Sequence, residues 1–324
     1  MPQLAKVELH LHLDCSLSYA AVSQLAPHIS RREYDAEFVA PSQCASLADF
    51  LTRAPRGFQL MQTEDALRIV TEDLFEQLRH DKVIYAEIRF APLLHLLEGL
   101  SAEAVVAAVD RATEHCIQAI GIEARLILCT LRHFDPAQSL LTAQLVERFK
   151  GTRVAALDIA GDEAGFPVHA HIPAFRYAMD HGLHRIAHAG EACGASSVWE
   201  TLQAFQPTRI GHGVRSIEDP LLVDHLKRER IHLEVCPASN VQTRTFLTYA
   251  DHPVDRLFRA GVPLSISTDA RTITNVTLEQ EYLRLREQFG WTDGELMACN
   301  REALRAAFID EPTRARLLAQ LTAG

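Results

Sequence analysis

Six residues combine side-chain type and position in a way from which hydrolytic chemistry can be built: His10, His12, His188, Glu191, His212 and Asp269. His10 and His12 stand two apart in the run Lys6-Val7-Glu8-Leu9-His10-Leu11-His12. If that run is a strand, its period of two sends both imidazoles to one side and Leu9, Leu11 and Leu13 to the other. The same parity places Glu8 on the histidine side, one step deeper, as a group that could orient a metal-binding imidazole. His188 and Asp269 each follow a short apolar run, Arg185-Ile186-Ala187 and Leu264-Ser265-Ile266-Ser267-Thr268. Neutral imidazoles from His10, His12 and His188 with the Asp269 carboxylate form a mixed nitrogen and oxygen set suited to a single Zn2+. Such an ion lowers the pKa of water towards about 7 and so supplies hydroxide at neutral pH. A binuclear centre in such a fold needs a bridging ligand such as a lysine, and Leu157-Asp158-Ile159-Ala160-Gly161 offers none.

Attack by hydroxide on a ring carbon loads negative charge onto the neighbouring ring nitrogen, which then needs a proton. Glu191, in His188-Ala189-Gly190-Glu191, is placed to give it if burial keeps the acid protonated at neutral pH. His212, between glycines in Arg209-Ile210-Gly211-His212-Gly213, has room for close approach and would orient or deprotonate the attacking water. His28, His80, His115, His181 and His252 fall in helical or loop positions and read as ordinary.

These residues meet only if the chain brings strand ends together. Short runs rich in Val, Ile and Leu recur at 7–12, 83–90, 123–130, 153–160, 185–189, 208–212, 231–236 and 262–268. Amphipathic stretches of helical length separate them, at 101–118, 136–149, 167–181, 196–205, 218–229 and 252–260. Strands alternating with helices imply parallel crossovers, and this number of them suggests a closed (β/α)8 TIM barrel, an α/β fold. An open doubly wound sheet is the rival, but no glycine-rich fingerprint follows the first strand. In a barrel the carboxyl ends of the strands converge on one face, where the six residues would gather. Residues 13–80 are too long for a simple connection and read as a helical insertion over the barrel mouth. Residues 276–322 read as further helices packed outside the barrel, within one domain spanning 1–324.

Composition narrows the partners. The 324 residues carry a formal charge of −10, and their brief basic cluster, Lys227-Arg228-Glu229-Arg230, reads as a solvated helix face. Nothing there would neutralise phosphates over a broad surface, which argues against nucleic-acid and anionic-membrane partners and leaves a small neutral substrate. Seven cysteines are scattered without a Cys-x-x-Cys pair, which speaks for a reducing compartment and against a thiolate zinc site. No stretch reaches transmembrane length and no signal peptide precedes the first strand, so a cytoplasmic enzyme is expected.

Read together, these motifs resemble those of the adenosine deaminase family, in order and over nearly the whole chain. The resemblance runs through Lys6-Val7-Glu8-Leu9-His10-Leu11-His12-Leu13-Asp14, Leu157-Asp158-Ile159-Ala160-Gly161-Asp162-Glu163 and His188-Ala189-Gly190-Glu191. It continues in Arg209-Ile210-Gly211-His212-Gly213, Glu234-Val235-Cys236-Pro237-Ala238-Ser239-Asn240 and Ser267-Thr268-Asp269. It implies a zinc-dependent hydrolase that removes the 6-amino group of adenosine or a related adenine nucleoside. It also implies one zinc ion held by His10, His12, His188 and Asp269, with His12 and Asp269 at the reacting centre. Glu191 matches the proton donor to purine N1, His212 the water-orienting histidine, Gly161 the glycine whose backbone meets N3, and Asp14 the carboxylate on the ribose 5′-hydroxyl.

Two positions depart from the family's pattern. The metal-binding aspartate is often followed by a second aspartate that bonds purine N7; here Ala270 and then Arg271 stand there. N7 would have to bond water, a backbone N–H, or Arg271 folded inwards. The glycine common after the sugar-binding carboxylate is Cys15, which narrows the space beside the sugar. Other substrates carried by relatives are therefore alternatives: free adenine, or a nucleoside with a modified 5′ end such as aminodeoxyfutalosine. Asp14 favours a ribose-bearing compound. A cytidine-deaminase type of site is excluded, since no His-x-Glu is paired with Pro-Cys-x-x-Cys. A related hydrolase acting on another amino-substituted ring, and a catalytically idle binding protein, are the remaining rivals.

Overall fold

A computed structural model describes residues 4–323. Eight strands run in the order of the sequence: β1 (Lys6–His12), β2 (Val83–Phe90), β3 (Glu123–Leu131), β4 (Val154–Ala160), β5 (His184–Ala189), β6 (Arg209–His212), β7 (His232–Val235) and β8 (Leu264–Ile266). Each pairs in parallel with the next. A parallel bridge between Leu11 and Asp269 joins the end of the last strand to the first, with the His12 N–H donating to the Asp269 carbonyl at 2.8 Å. The architecture is a (β/α)8 barrel. The last strand is shorter than the apolar run 262–268 implies, because Ser267 and Thr268 already turn towards Asp269.

The crossover helices follow from their caps as much as from their apolar faces. Thr63, Ser101 and Asp135 side chains each accept the N–H three residues on, which starts helices Glu64–His80, Ala102–Ile120 and Pro136–Arg148. Such a cap contributes about 1 kcal/mol where the first-turn amides have no other partner. Of the residues read as a cover for the mouth, Glu64–His80 instead packs on β2 and on Ala102–Ile120, in the outer ring, as the crossover between β1 and β2. Its apolar residues face that ring because their spacing serves a sheet as readily as a lid. Short helices Tyr19–Leu25, Arg31–Glu37, Leu47–Leu51 and Ala54–Phe58 occupy the stretch before it.

The tail forms three helices, Leu278–Phe289, Asp293–Ala306 and Glu311–Ala323. It does not stay wholly outside the barrel. Phe308 packs with Ile127, Ala156 and Ile186 from three strands, and the Arg209 guanidinium lies 4.1 Å from its ring centre. An aromatic plug thus closes the end of the barrel away from the site. No described helix is long and apolar enough to cross a membrane.

Candidate active site

His10, His12, His188 and Asp269 come from β1, β5 and the turn after β8, and their ligand atoms all lie within 4.8 Å of one another. His12 Nε2 and His188 Nε2 are 3.2 Å apart, and Asp269 Oδ1 is 3.2 Å from His10 Nε2 and 3.4 Å from His12 Nε2. A tetrahedral ion with bonds of about 2.0–2.1 Å needs ligand separations of roughly 3.3–3.4 Å, so these three separations fit. His10 Nε2 is fully buried without a hydrogen bond, as a nitrogen reserved for a cation would be. Burial holds His12 well below its ordinary pKa and lowers His188 too, so both offer neutral imidazoles.

The orienting groups differ from the expectation for Glu8. A register irregularity between Glu8 and Leu11 changes the parity of β1, so Glu8 pairs with Ala86 while His12 pairs with Arg89. Glu8 therefore leaves the histidine side. It accepts the Thr268 N–H at 2.9 Å and the Arg271 guanidinium at 2.6 Å, bracing the turn that carries Asp269. The imidazoles are oriented instead by Glu234 on β7, 3.0 Å from His10 Nδ1, and Asp158 on β4, 3.2 Å from His188 Nδ1. Each carboxylate fixes the proton on Nδ1 and leaves Nε2 free to bind. Burial opposes ionisation of Asp158, but His188 and Arg89 outweigh it and hold its pKa low. Burial opposes Glu234 likewise, and Arg89 with Arg209 outweighs it.

One guanidinium serves both carboxylates. Arg89 donates to Asp158 Oδ2 at 2.6 Å, Glu234 Oε2 at 2.5 Å and the Leu9 carbonyl at 2.7 Å. None of these three residues was singled out from the sequence for this role. The available signal was a charge inside each buried strand run: Ile88-Arg89-Phe90, Leu157-Asp158-Ile159 and Leu233-Glu234-Val235. A charge so placed must find a partner across the barrel.

Glu191 and His212 face each other beside the cluster, with Glu191 Oε2 3.6 Å from His212 Nε2. Burial drives the Glu191 pKa well above its ordinary value, and the charges of Asp269 and Glu163 add to the shift. Burial likewise holds His212 well below its ordinary value. Glu163, also not singled out, anchors the loop: its carboxylate accepts the N–H groups of Gly190, Glu191 and Cys193 at 2.7, 3.0 and 2.8 Å. His212 and Asp269 both have positive φ, 60° and 67°, unusual for residues with side chains and held here by the strand ends around them.

A cavity of about 430 Å³ opens over these groups. It is lined by His12, Asp14, Gly161, His188, Glu191, His212, Asp269 and Ala270, which brings nearly every residue expected from the sequence to one space; His10 lies just beneath. Asp14 accepts the Ala91 N–H at 3.2 Å, and burial raises its pKa to about 6. Gly161, at φ 104°, bares its backbone to the cavity as only glycine readily can. Helices Leu47–Leu51 and Ala54–Phe58 form the opposite wall, and Gly57 lets the second lie so close that a Cβ there would collide with the Asp14 carbonyl.

Arg271 does not fold into this cavity. Its guanidinium is buried between Glu8 and Asp81, at 2.6 and 3.0 Å, on the outer side of the barrel. The Ala270 N–H is also committed, to the Thr268 carbonyl at 2.9 Å. Neither the Arg271 guanidinium nor the Ala270 N–H is therefore free to bond a group in the cavity.

Comparison with known proteins agrees with this geometry. The sequence model of the family described as adenosine deaminase matches residues 5–323. The chain is 38% identical to an adenine deaminase of Rhizobium etli, over 98% of this chain and 99% of that one. It is 33% identical to an adenosine deaminase of Clostridium acetobutylicum, over 98% and 97%. The crystal structure of an adenine deaminase from Arthrobacter aurescens superposes with a TM-score of 0.91 at 26% identity, covering 99% of this chain and 98% of that one. With a matched family model over almost its full length, the chain belongs to the adenosine deaminase family.

Proposed function

We propose that the protein hydrolyses the 6-amino group of an adenine-type compound, giving the 6-oxo purine and ammonia, with a single zinc ion at His10, His12, His188 and Asp269. The observation that carries this reading is Glu191, a buried carboxyl whose pKa is raised well above its ordinary value, beside a cluster of metal-ligand type. When bound, the ion supplies the Lewis acidity that makes water nucleophilic at neutral pH. Glu191 gives its proton to ring N1 as the oxygen bonds to C6, so the ring does not carry the developing charge alone. His212 contacts the attacking oxygen and holds it on one face of the ring. The C6–N bond then breaks: the amino group takes the proton of the newly bonded hydroxyl and leaves as ammonia, the ring regains its aromaticity, and Glu191 regains its proton from the next water. The Gly161 backbone meets the N3 edge, and Asp14 accepts a sugar hydroxyl.

The cavity lining also supports a substrate class. It contains no lysine or arginine and includes the carboxyl groups of Asp14 and Asp162, which disfavours nucleotides. Leu47, Phe50, Leu51, Phe58, Leu94 and Leu131 make the rest of the wall apolar. That wall favours a second reading, a nucleoside extended at its 5′ end by an apolar group. Free adenine offers Asp14 no sugar hydroxyl. We read the whole chain as one catalytic domain acting in the cytoplasm, in keeping with seven free cysteines.

An ultraviolet assay across adenosine, deoxyadenosine, adenine, AMP and aminodeoxyfutalosine, with metal analysis of the same preparation, tests the reading. Turnover of one or more of the unphosphorylated compounds is expected, with AMP the poorest and about one zinc per chain. Failure to deaminate any of them by the metal-loaded protein would refute it.

A further inference from the structure

Behind His212 lies a chain of hydrogen bonds that begins on a donor of fixed identity. The backbone N–H of Val254 points at His252 Nδ1, 3.2 Å away, so that nitrogen accepts. The single proton of the His252 ring is then on Nε2, which lies 3.1 Å from Asn240 Oδ1 and donates to it. With its oxygen committed, Asn240 turns its amide nitrogen to His212 Nδ1, also at 3.1 Å. An amide nitrogen only donates, so His212 Nδ1 accepts and its proton is on Nε2. A proton on Nδ1 of either histidine would face another N–H. All three side chains are buried, at 2%, 0% and 1% exposure for His252, Asn240 and His212, so water does not scramble the order.

We propose that Asn240 and His252 are positioning residues that lock His212 as the Nε2–H tautomer, so that it donates a hydrogen bond to the attacking oxygen and takes no proton from it. The proposal rests on the deaminase reading only for the identity of that oxygen; the tautomer follows from the hydrogen bonds themselves. It decides between the two roles, orienting and deprotonating, that the sequence leaves open for His212. A base would need a bare Nε2, and the chain from Val254 supplies the opposite. The cavity-facing edge of His212 is thus a preset donor, 3.6 Å from Glu191 Oε2, that needs no rearrangement during the reaction.

The decisive variant is Asn240→Asp. A carboxylate accepts from Nδ1–H and moves the proton of His212 off Nε2, making a histidine–carboxylate pair of the kind that serves as a base. If His212 acts as a donor, kcat falls by roughly 10²- to 10⁴-fold, the span for loss of a positioned proton-handling group or a wrong tautomer. KM should move little and zinc should be retained. If His212 acts as a base, kcat holds or rises, and the proposal is overturned. Long-range 1H–15N spectra of the zinc-loaded protein read the tautomer without turnover. Nε2–H on His212 in the native protein and Nδ1–H in Asn240→Asp support the proposal; Nδ1–H in the native protein overturns it. Should Asn240→Asp not fold, His252→Leu frees Asn240 to turn over. A mixture of tautomers on His212 is then expected, and an unchanged spectrum overturns the relay. A native protein with the Nε2–H tautomer that deaminates nothing would refute the functional reading while leaving the relay in place.

Discussion

Glu191 Oε2 and His212 Nε2 lie 3.6 Å apart in surroundings that drive both side chains to their neutral forms, the acid upward in pKa and the imidazole downward. Burial is the largest cause in each case. A neutral acid at the site can deliver a proton, whereas an ionised one could only repel the charge building on the ring.

Glu191→Gln keeps the size and the hydrogen-bonding shape but has no proton to transfer. Turnover should fall by about 10²-fold or more, with zinc retained. In the native enzyme the active form is the protonated acid, so kcat should decline on the alkaline side, as pH rises through the raised pKa. Near-normal turnover of the glutamine variant would assign the proton to another residue.

Arg89 is the common partner of the two carboxylates that orient His10 and His188. Arg89→Met leaves Asp158 and Glu234 buried without their shared cation, so both imidazoles lose their fixed direction. Zinc affinity in a chelator competition should weaken by about 10- to 100-fold, the usual cost of removing an outer-shell group. Asp269→Ala, which removes a proposed ligand, should lose metal and activity together. An Arg89→Met protein that folds and matches the native chain in zinc affinity would show that the carboxylates need no shared cation.

Ala270 and Arg271 separate recognition from stability. Because Arg271 is paired with Glu8 and Asp81 away from the cavity, Arg271→Ala should lower Tm without altering the ratio of kcat/KM between adenosine and a 5′-extended nucleoside. Breaking such a buried pair costs about 3–5 kcal/mol. Ala270→Asp, by contrast, places a side chain in the cavity and should raise kcat/KM for both nucleosides, which share purine N7, if the new acid is protonated. One buried hydrogen bond contributes about 1–3 kcal/mol, or roughly 5- to 150-fold. A changed ratio in Arg271→Ala would mean that this side chain reaches the substrate after all.

Glu281 gives stability a pH dependence of its own. It is fully buried, accepts the Ala238 N–H at 2.7 Å and the Tyr249 hydroxyl at 2.8 Å, and is pushed up to about 7 by burial. An acid with a raised folded-state pKa binds its proton more tightly folded than unfolded. Its contribution is therefore greatest below the ordinary glutamate range and is lost as pH rises to about 7. Glu281→Gln should flatten this part of the profile, gaining on the native protein between pH 6 and 8 in denaturant titrations. An unchanged slope would place the ionisation elsewhere.

Much of the architecture was legible locally. Val, Ile and Leu runs alternating with capped amphipathic stretches determine strand and helix by period alone, and their number implies a barrel. Chemistry at the strand ends could be read for the same reason: His10, His12, His188, Glu191, His212 and Asp269 all sit where apolar runs stop. The residues that align them could not be read, because their roles depend on which strands face one another across the barrel. Arg89, Asp158 and Glu234 look from the sequence like unconnected charges, and only barrel closure joins them. Parity failed at Glu8, since one irregularity in β1 reverses a face and leaves no mark on the pattern. Arg271 lies two residues after Asp269 in sequence yet points away from the cavity, held by two buried carboxylates. His252 read as an ordinary loop histidine until folding set it between Val254 N–H and Asn240. Sequence alone determined which reactive groups the protein has; their tautomers, charge states and aim were decided by tertiary contact, because a proton's position depends on what lies opposite it.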